Sequence, residues 1–468
     1  MRRVSMRAPR RKGFVSGLAL ALSFTAAGFT VPAQAQSEKP AYSKNFVKPA
    51  QQASTDVNAA RSKPEVQAEI ANLIAASNAL SAAKGDAVAP AQAQFDAVAQ
   101  RIQGMTTAER RELQDLAAKA ETPDDKFMAG DLMGFLGAFS GDQALRAQGL
   151  KLKLDSGTLK PDLAAASWFE LGQLSYATNR VDDARAAFEA AYKAGKIEAA
   201  LYAADTFYST NRVPEGLDYL EAQINARLAA GQEVPLEWYG NGLNKARGLN
   251  DPVRLGHWAG LYGAGGHTPQ SWNAAIGVVM QTSKYGPAEQ LDAYRLMKRT
   301  NSLLATGDYV RYIEAADARS MANEVLPALD EAVSKGLLSK TPGGSVTADL
   351  VTFTNSNYEI ANKRGPEDRN TIGAIVADAQ KGANGANARD AGDVYQSFGD
   401  NAKAEEMFKL ALQKGGVDND RILMRMAIAQ ADQGKYADAK ASLAKITGAR
   451  APLAGLWIAY IDSKAGHA

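Results

Sequence analysis

The chain has 468 residues, with 53 basic against 51 acidic side chains, 46% hydrophobic residues and no cysteine. The missing thiols exclude disulfides, thiolate metal centres and a lipidated N-terminal cysteine. The near-balanced charge, with no polycationic block beyond residue 12, argues against nucleic acid or an anionic membrane as partner.

Residues 1–35 read as a secretory signal peptide. Arg2, Arg3, Arg7, Arg10, Arg11 and Lys12 supply the basic start, residues 13–29 the apolar stretch, and Ala33-Gln34-Ala35 the cleavage site. The apolar stretch is short and flanked by small residues, which speaks against a membrane anchor. Arg10-Arg11 makes a poor twin-arginine signal, because Phe14 stands one place late. Cleavage before Gln36 leaves 433 residues with 47 basic and 51 acidic side chains, so the basic balance belongs to the precursor. With neither span nor lipid, a soluble periplasmic protein is expected. Residues 36–63 are rich in Gln, Ala, Ser, Lys and Pro and lack an apolar period, which predicts a disordered leader.

Residues 64–160 predict helical hairpins. Val66, Ile70, Leu73 and Leu80 share one helix face, and Phe95, Val98 and Ile102 form the return partner. Ser140-Gly141-Asp142 breaks a later pair. Over 161–340 a repeat becomes explicit. Trp168, Leu171 and Gly172 are followed by Ala184, Phe188 and Ala191. The turn Thr178-Asn179-Arg180-Val181 recurs 32 places on as Thr210-Asn211-Arg212-Val213. Trp238, Gly242 and Trp258 stand where Trp168, Gly172 and Phe188 stood, and Trp272 follows Trp238 by 34. Residues 341–387 open on the breaker Thr341-Pro342-Gly343-Gly344 and mix helix with strand character over 346–360, which reads as a helical linker or hinge. Residues 388–468 return to the pattern, in Gly399, Ala404 and Phe408 and then Gly434, Ala439 and Leu443, displaced by 35, with Gly392 and Ala411 completing the first of these units. A last helix through Leu453, Trp457 and Tyr460 is placed to cap the stack.

Periods of 32–35 residues mark hairpins that cannot bury their faces alone and must stack. Small residues such as Gly172 and Ala184 belong where two helices approach closest, and Trp168, Leu171 and Phe188 fill the space between. This spacing resembles the tetratricopeptide repeat family, well over 165–194 and 388–446 and only in outline elsewhere. The family's proline near the end of the second helix is missing, and Lys196 stands near its place. The resemblance implies an all-α fold, a right-handed α-solenoid with a concave groove for peptides or proteins.

Chemistry is hard to find. His257, His267 and His467 are the only histidines, and no carboxylate lies near the first two in sequence. The glycine-rich stretch 260–266 lacks the Gly-Lys-Ser/Thr of a phosphate loop and reads instead as the end of a helix. Glu170 is a helix-surface carboxylate, without the lysozyme-like domain that helical lytic transglycosylases append. No catalytic residue, cofactor or metal site is assigned, and an enzyme is not expected.

By the resemblance, the groove positions of the first helices select Phe169, Gln173 and Tyr176, then Asp205 and Tyr208, then Tyr239. The C-terminal units offer Arg389, Asp393 and Gln396. No unit carries the Lys/Asn pair of carboxylate-clamping relatives. The expected function is a non-enzymatic periplasmic scaffold for other envelope proteins or extended peptides. The alternative is an accessory factor that binds polysaccharide in cell-wall or exopolysaccharide assembly, with Tyr176, Tyr208 and Tyr239 as stacking platforms.

Overall fold

A computed structural model describes residues 40–465. Those residues are all-α, and their only β pairing is an isolated bridge between Gly343 and Val346. The export segment, its cleavage site and His467 lie outside the described residues. The chain divides into two compact units, one ending at Ala226 and the other running from Arg227. The expected array over 161–340 is thus split between them.

The first unit departs from expectation at its start. The disordered leader predicted for residues 36–63 is, over its described part, a docked segment ending in helix α1, Val47–Ser62. Ala50, Ala53, Val57 and Ala60 make a narrow small-residue stripe that is buried along with Phe46. Such a stripe carries no period of large apolar residues along the helix. The strap ahead of it is pinned by main-chain N–H groups: Ala41 donates to Asp124 at 2.6 Å and Ser43 to Asp125 at 3.1 Å.

Helices α2 (Pro64–Ala82), α3 (Val88–Met105), α4 (Thr107–Ala118), α5 (Pro123–Ser140) and α6 (Gln143–Asp155) follow, as expected over 64–160. Helices α5 and α6 approach closely, and a methyl group on Gly149 would lie 2.5 Å from the Gly130 carbonyl. Then come α7 (Pro161–Ala177), α8 (Val181–Lys193), α9 (Ala199–Ser209) and α10 (Val213–Ala229). Helices α7, α8 and α9 pack chiefly on their neighbours in chain order, and α10 meets α9 where Gly216 lies against the Tyr208 ring.

The repeated turn has a backbone cause. Asn179 and Asn211 adopt φ of 59° and 61°, the left-handed conformation that asparagine tolerates better than most residues. That bend lets the Arg180 N–H reach the Ser175 carbonyl at 2.8 Å and the Arg212 N–H reach Phe207 at 2.9 Å. Thr178 and Thr210 close the turn by donating their hydroxyls to Leu174 and Thr206.

The glycines of the repeat have a steric cause. Gly172 lies under the Phe188 ring, and a methyl group there would be 2.5 Å from it. The partner is therefore Phe188, not the Ala184 that the spacing suggested. Gly242 meets the Trp258 ring and Gly392 the Phe408 ring in the same way, each at a separation of 16 residues.

The second unit holds α11 (Leu236–Arg247), α12 (Pro252–Gly265), α13 (Pro269–Ser283), α14 (Pro287–Arg299), α15 (Thr306–Ala316) and α16 (Ala322–Ser334). Next is α17, Ala348–Lys381, a single helix of 34 residues over the predicted linker, with Pro366 in its interior. The Thr- and Val-rich stretch within it is helical, not strand. Helices α18 (Ala386–Ser397), α19 (Asn401–Lys414), α20 (Asn419–Asp432), α21 (Tyr436–Leu443) and α22 (Ala451–Ala465) complete the unit.

Helix α22 does not simply cap its neighbour. It packs back on α12, nearly two hundred residues earlier in the chain. Gly256 faces the Pro452 backbone and Gly260 the Ala459 methyl, so two helices approach where larger side chains would hold them apart. Trp457 is buried beside them and donates its indole N–H to the Asp292 carbonyl at 3.3 Å.

Candidate binding site

Helix α7 presents two different faces. At 100° per residue, Trp168, Leu171 and Ser175 centre about 130° away from Phe169, Gln173 and Tyr176. The first face forms the floor of an open cleft of about 570 Å³ within the first unit. Its walls are rich in small residues, Ala117 from α4, Ala147 from α6, and Ala186, Ala187 and Ala190 from α8. Trp168, only partly buried, lies between these walls. Gln114, Gln148, Lys151, Arg180 and Asp183 supply the polar lining. Lys151 pairs with Asp155 at 2.6 Å and Arg180 with Asp183 at 3.6 Å, so the charges on this rim are mutually compensated.

The second face carries the predicted groove residues, and the structure sorts them. Phe169 is half-buried, in edge contact with Tyr202 at 4.8 Å and tilted against Phe188 at 5.5 Å. Lys196 stands 5.3 Å over its ring. Gln173, Tyr176 and Asp205 are also half-buried. Tyr208 is only 9% exposed, its ring covers Gly216, and burial raises its pKa. Tyr239, 3% exposed, belongs to the second unit and covers Gly265. Expected as groove surface, Tyr208 and Tyr239 are instead packing residues between helices. The bare glycines opposite them leave room for a ring, and the ring takes it. Phe207, which no repeat position marks in the sequence, is flanked by Arg185 at 4.1 Å and Arg212 at 5.0 Å.

The C-terminal positions Asp393 and Gln396 point into a charged interior in the second unit. Arg421 donates to Asp393 at 2.9 Å. Gln396 accepts from Arg295 at 2.8 Å and donates to the Arg425 carbonyl at 3.0 Å. Arg295 also binds Glu324 through two N–H groups, at 2.8 and 2.7 Å. Burial pushes the Glu324 carboxyl up, but the Arg295 guanidinium and the Tyr312 hydroxyl more than reverse this and hold it at about 2. Glu405 is likewise raised by burial and brought down to about 2 by Lys409, Lys435, Gln430 and Gln433. These groups look like ordinary solvated helix residues in the sequence, and nothing local marks them as interior.

His257 and His267 are both exposed, and His267 occupies the left-handed turn before Thr268, which caps α13 by accepting from the Ser271 N–H at 3.1 Å. Glu170 is tied to Arg146. Among the described residues no three His, Asp or Glu side chains are grouped to hold a metal ion. No described helix is long and apolar enough to cross a membrane. Neither a family model nor a curated protein matches the chain.

Proposed function

We propose that the chain is a non-enzymatic scaffold of the tetratricopeptide-repeat kind, exported to the periplasm, that binds other envelope proteins through its first unit. The observation that carries this reading is the alanine-walled cleft over Trp168. Small residues on adjoining helices leave a trench, and a partly exposed indole at its floor offers a large rigid contact area. The successive hairpins around it, with their shared asparagine turns, support the repeat reading and its solenoid arrangement. Export rests on the basic, apolar and Ala-x-Ala order of residues 1–35.

The opposite face of α7 contributes through Phe169, Gln173 and Tyr176. A polysaccharide partner fits less well. A sugar stacks on the open face of a ring, whereas Tyr208 and Tyr239, two of the three rings expected to serve, are buried between helices.

The test is a photo-crosslinking residue at Ala186, on the cleft wall, compared with one at exposed Asn244 in the second unit. Expression in the native cell and mass spectrometry should give discrete protein adducts at Ala186 that disappear in Trp168→Ala. Equal adduct patterns at the two positions would remove the cleft as the partner site.

A further inference from the structure

Asp292 has no exposed surface. Three guanidinium groups from different parts of the second unit converge on its carboxylate. Arg295 approaches at 3.4 Å, Arg425 Nε lies 3.4 Å from Oδ1, and Arg450 Nε lies 3.8 Å from Oδ2. Asp292 Oδ2, Arg425 Nε and Arg450 Nε are each buried and each lack a hydrogen bond. The arginines cannot simply turn to supply one. Arg450 is held through Nη1 by Asp418 and through Nη2 by Glu289, both at 2.7 Å, and Arg425 pairs through Nη1 with Asp393. A buried charged group that loses a hydrogen bond is costly, and with both Nε atoms within 3.8 Å of the Asp292 carboxylate the three atoms call for a shared partner.

We propose that Asp292 Oδ2, Arg425 Nε and Arg450 Nε are the binding site of an internal water molecule. The lining selects it. Water accepts from both N–H groups and donates to the carboxylate, which no simple ion does. A halide would meet the Asp292 and Asp393 carboxylates at close range. Four guanidiniums (Arg295, Arg421, Arg425, Arg450) face five carboxylates (Asp292, Asp393, Glu324, Glu289, Asp418), so there is no positive surplus to hold an anion. A metal cation is refused by the N–H groups aimed at the point. The water joins α14, α20 and the turn before α22, three segments that only the folded unit brings together.

A high-resolution crystal structure of the exported protein, with a parallel bromide soak, tests the assignment. A peak within about 3.2 Å of all three atoms, refining as water and silent in the bromide anomalous map, is expected. A bromide peak at that point makes the site an anion site and overturns the proposal. So does a map with no peak there, whether or not an arginine has rotated onto Oδ2.

Discussion

Replacing Gly172 by alanine sets two opposing effects against each other, and the structure says which wins. A helix-interior glycine gains about 1 kcal/mol on becoming alanine. Gly134, inside α5 and with no neighbour within 4 Å of the added methyl, should show that gain alone. At Gly172 the methyl would lie 2.5 Å from two atoms of the Phe188 ring and 2.9 Å from a third. Carbon atoms prefer about 3.5–4.0 Å, so the ring must retreat by about 1 Å. Phe188 is fully buried and held by Phe169 and Tyr202, each 5.5 Å away between ring centres, so it has nowhere to go. Overpacking of this kind costs about 1–3 kcal/mol. Gly172→Ala should therefore come out from neutral to about 2 kcal/mol less stable, while Gly134→Ala is more stable than the parent. Both positions belong to the first unit, so urea denaturation followed by circular dichroism compares them directly. Equal stabilisation by the two substitutions would refute the ring-over-glycine packing, and with it the register assigned to the repeat.

The asparagine turns give a second expectation: Asn179→Val should cost about 1–2 kcal/mol because a β-branched residue resists positive φ, while Asn179→Gly should be tolerated, as urea midpoints will show. For pH, the folded-state values of Glu324 and Glu405 are depressed from 4.5 to about 2, so their stabilisation is present above pH 4.5 and lost as pH falls towards 2. Urea midpoints of the second unit should fall across that window, and no such fall would contradict the ion-pair geometry. Removing the guanidinium with Arg295→Met leaves Glu324 and Asp292 short of a partner and should cost about 3–5 kcal/mol, read by the same titration. Export predicts that N-terminal sequencing of the periplasmic form begins at Gln36; a start at Met1 would refute it.

The sequence announces what repeats and hides what does not. Gly172, Gly242 and Gly392 align by spacing alone, because a glycine under a ring at a fixed separation is a local consequence of one hairpin. The Thr-Asn-Arg-Val turns are visible for the same reason. The docking of α1 is hidden because alanines at Ala50, Ala53 and Ala60 resemble the composition of a polar leader. The burial of Tyr208 and Tyr239 is hidden because a groove position and a packing position are neighbours on one helix. Gly260 falls in a stretch that reads as a glycine-rich helix end and Gly256 just ahead of it, though both are contact surface for α22. The Asp292 cluster is least legible of all: Asp292 and Arg295 look like a common surface pair, and only Arg425 and Arg450 reveal otherwise.

The same contrast bears on where a partner would bind. In the second unit, positions expected to line a groove are consumed internally. Asp393 and Gln396 are held by Arg421, Arg425 and Arg295, and α22 fills the face of α12. A ligand entering there would have to replace buried ion pairs whose removal leaves charges uncompensated, a cost of several kcal/mol before any contact is gained. In the first unit the cleft over Trp168 is already open, and its rim charges are paired near the surface, where such pairs contribute about 0–1 kcal/mol. Displacing them is cheap. An incoming protein segment gains the indole and the alanine walls at little expense. On energetic grounds the proposed binding function belongs to the first unit, and the second is better suited to holding its own fold.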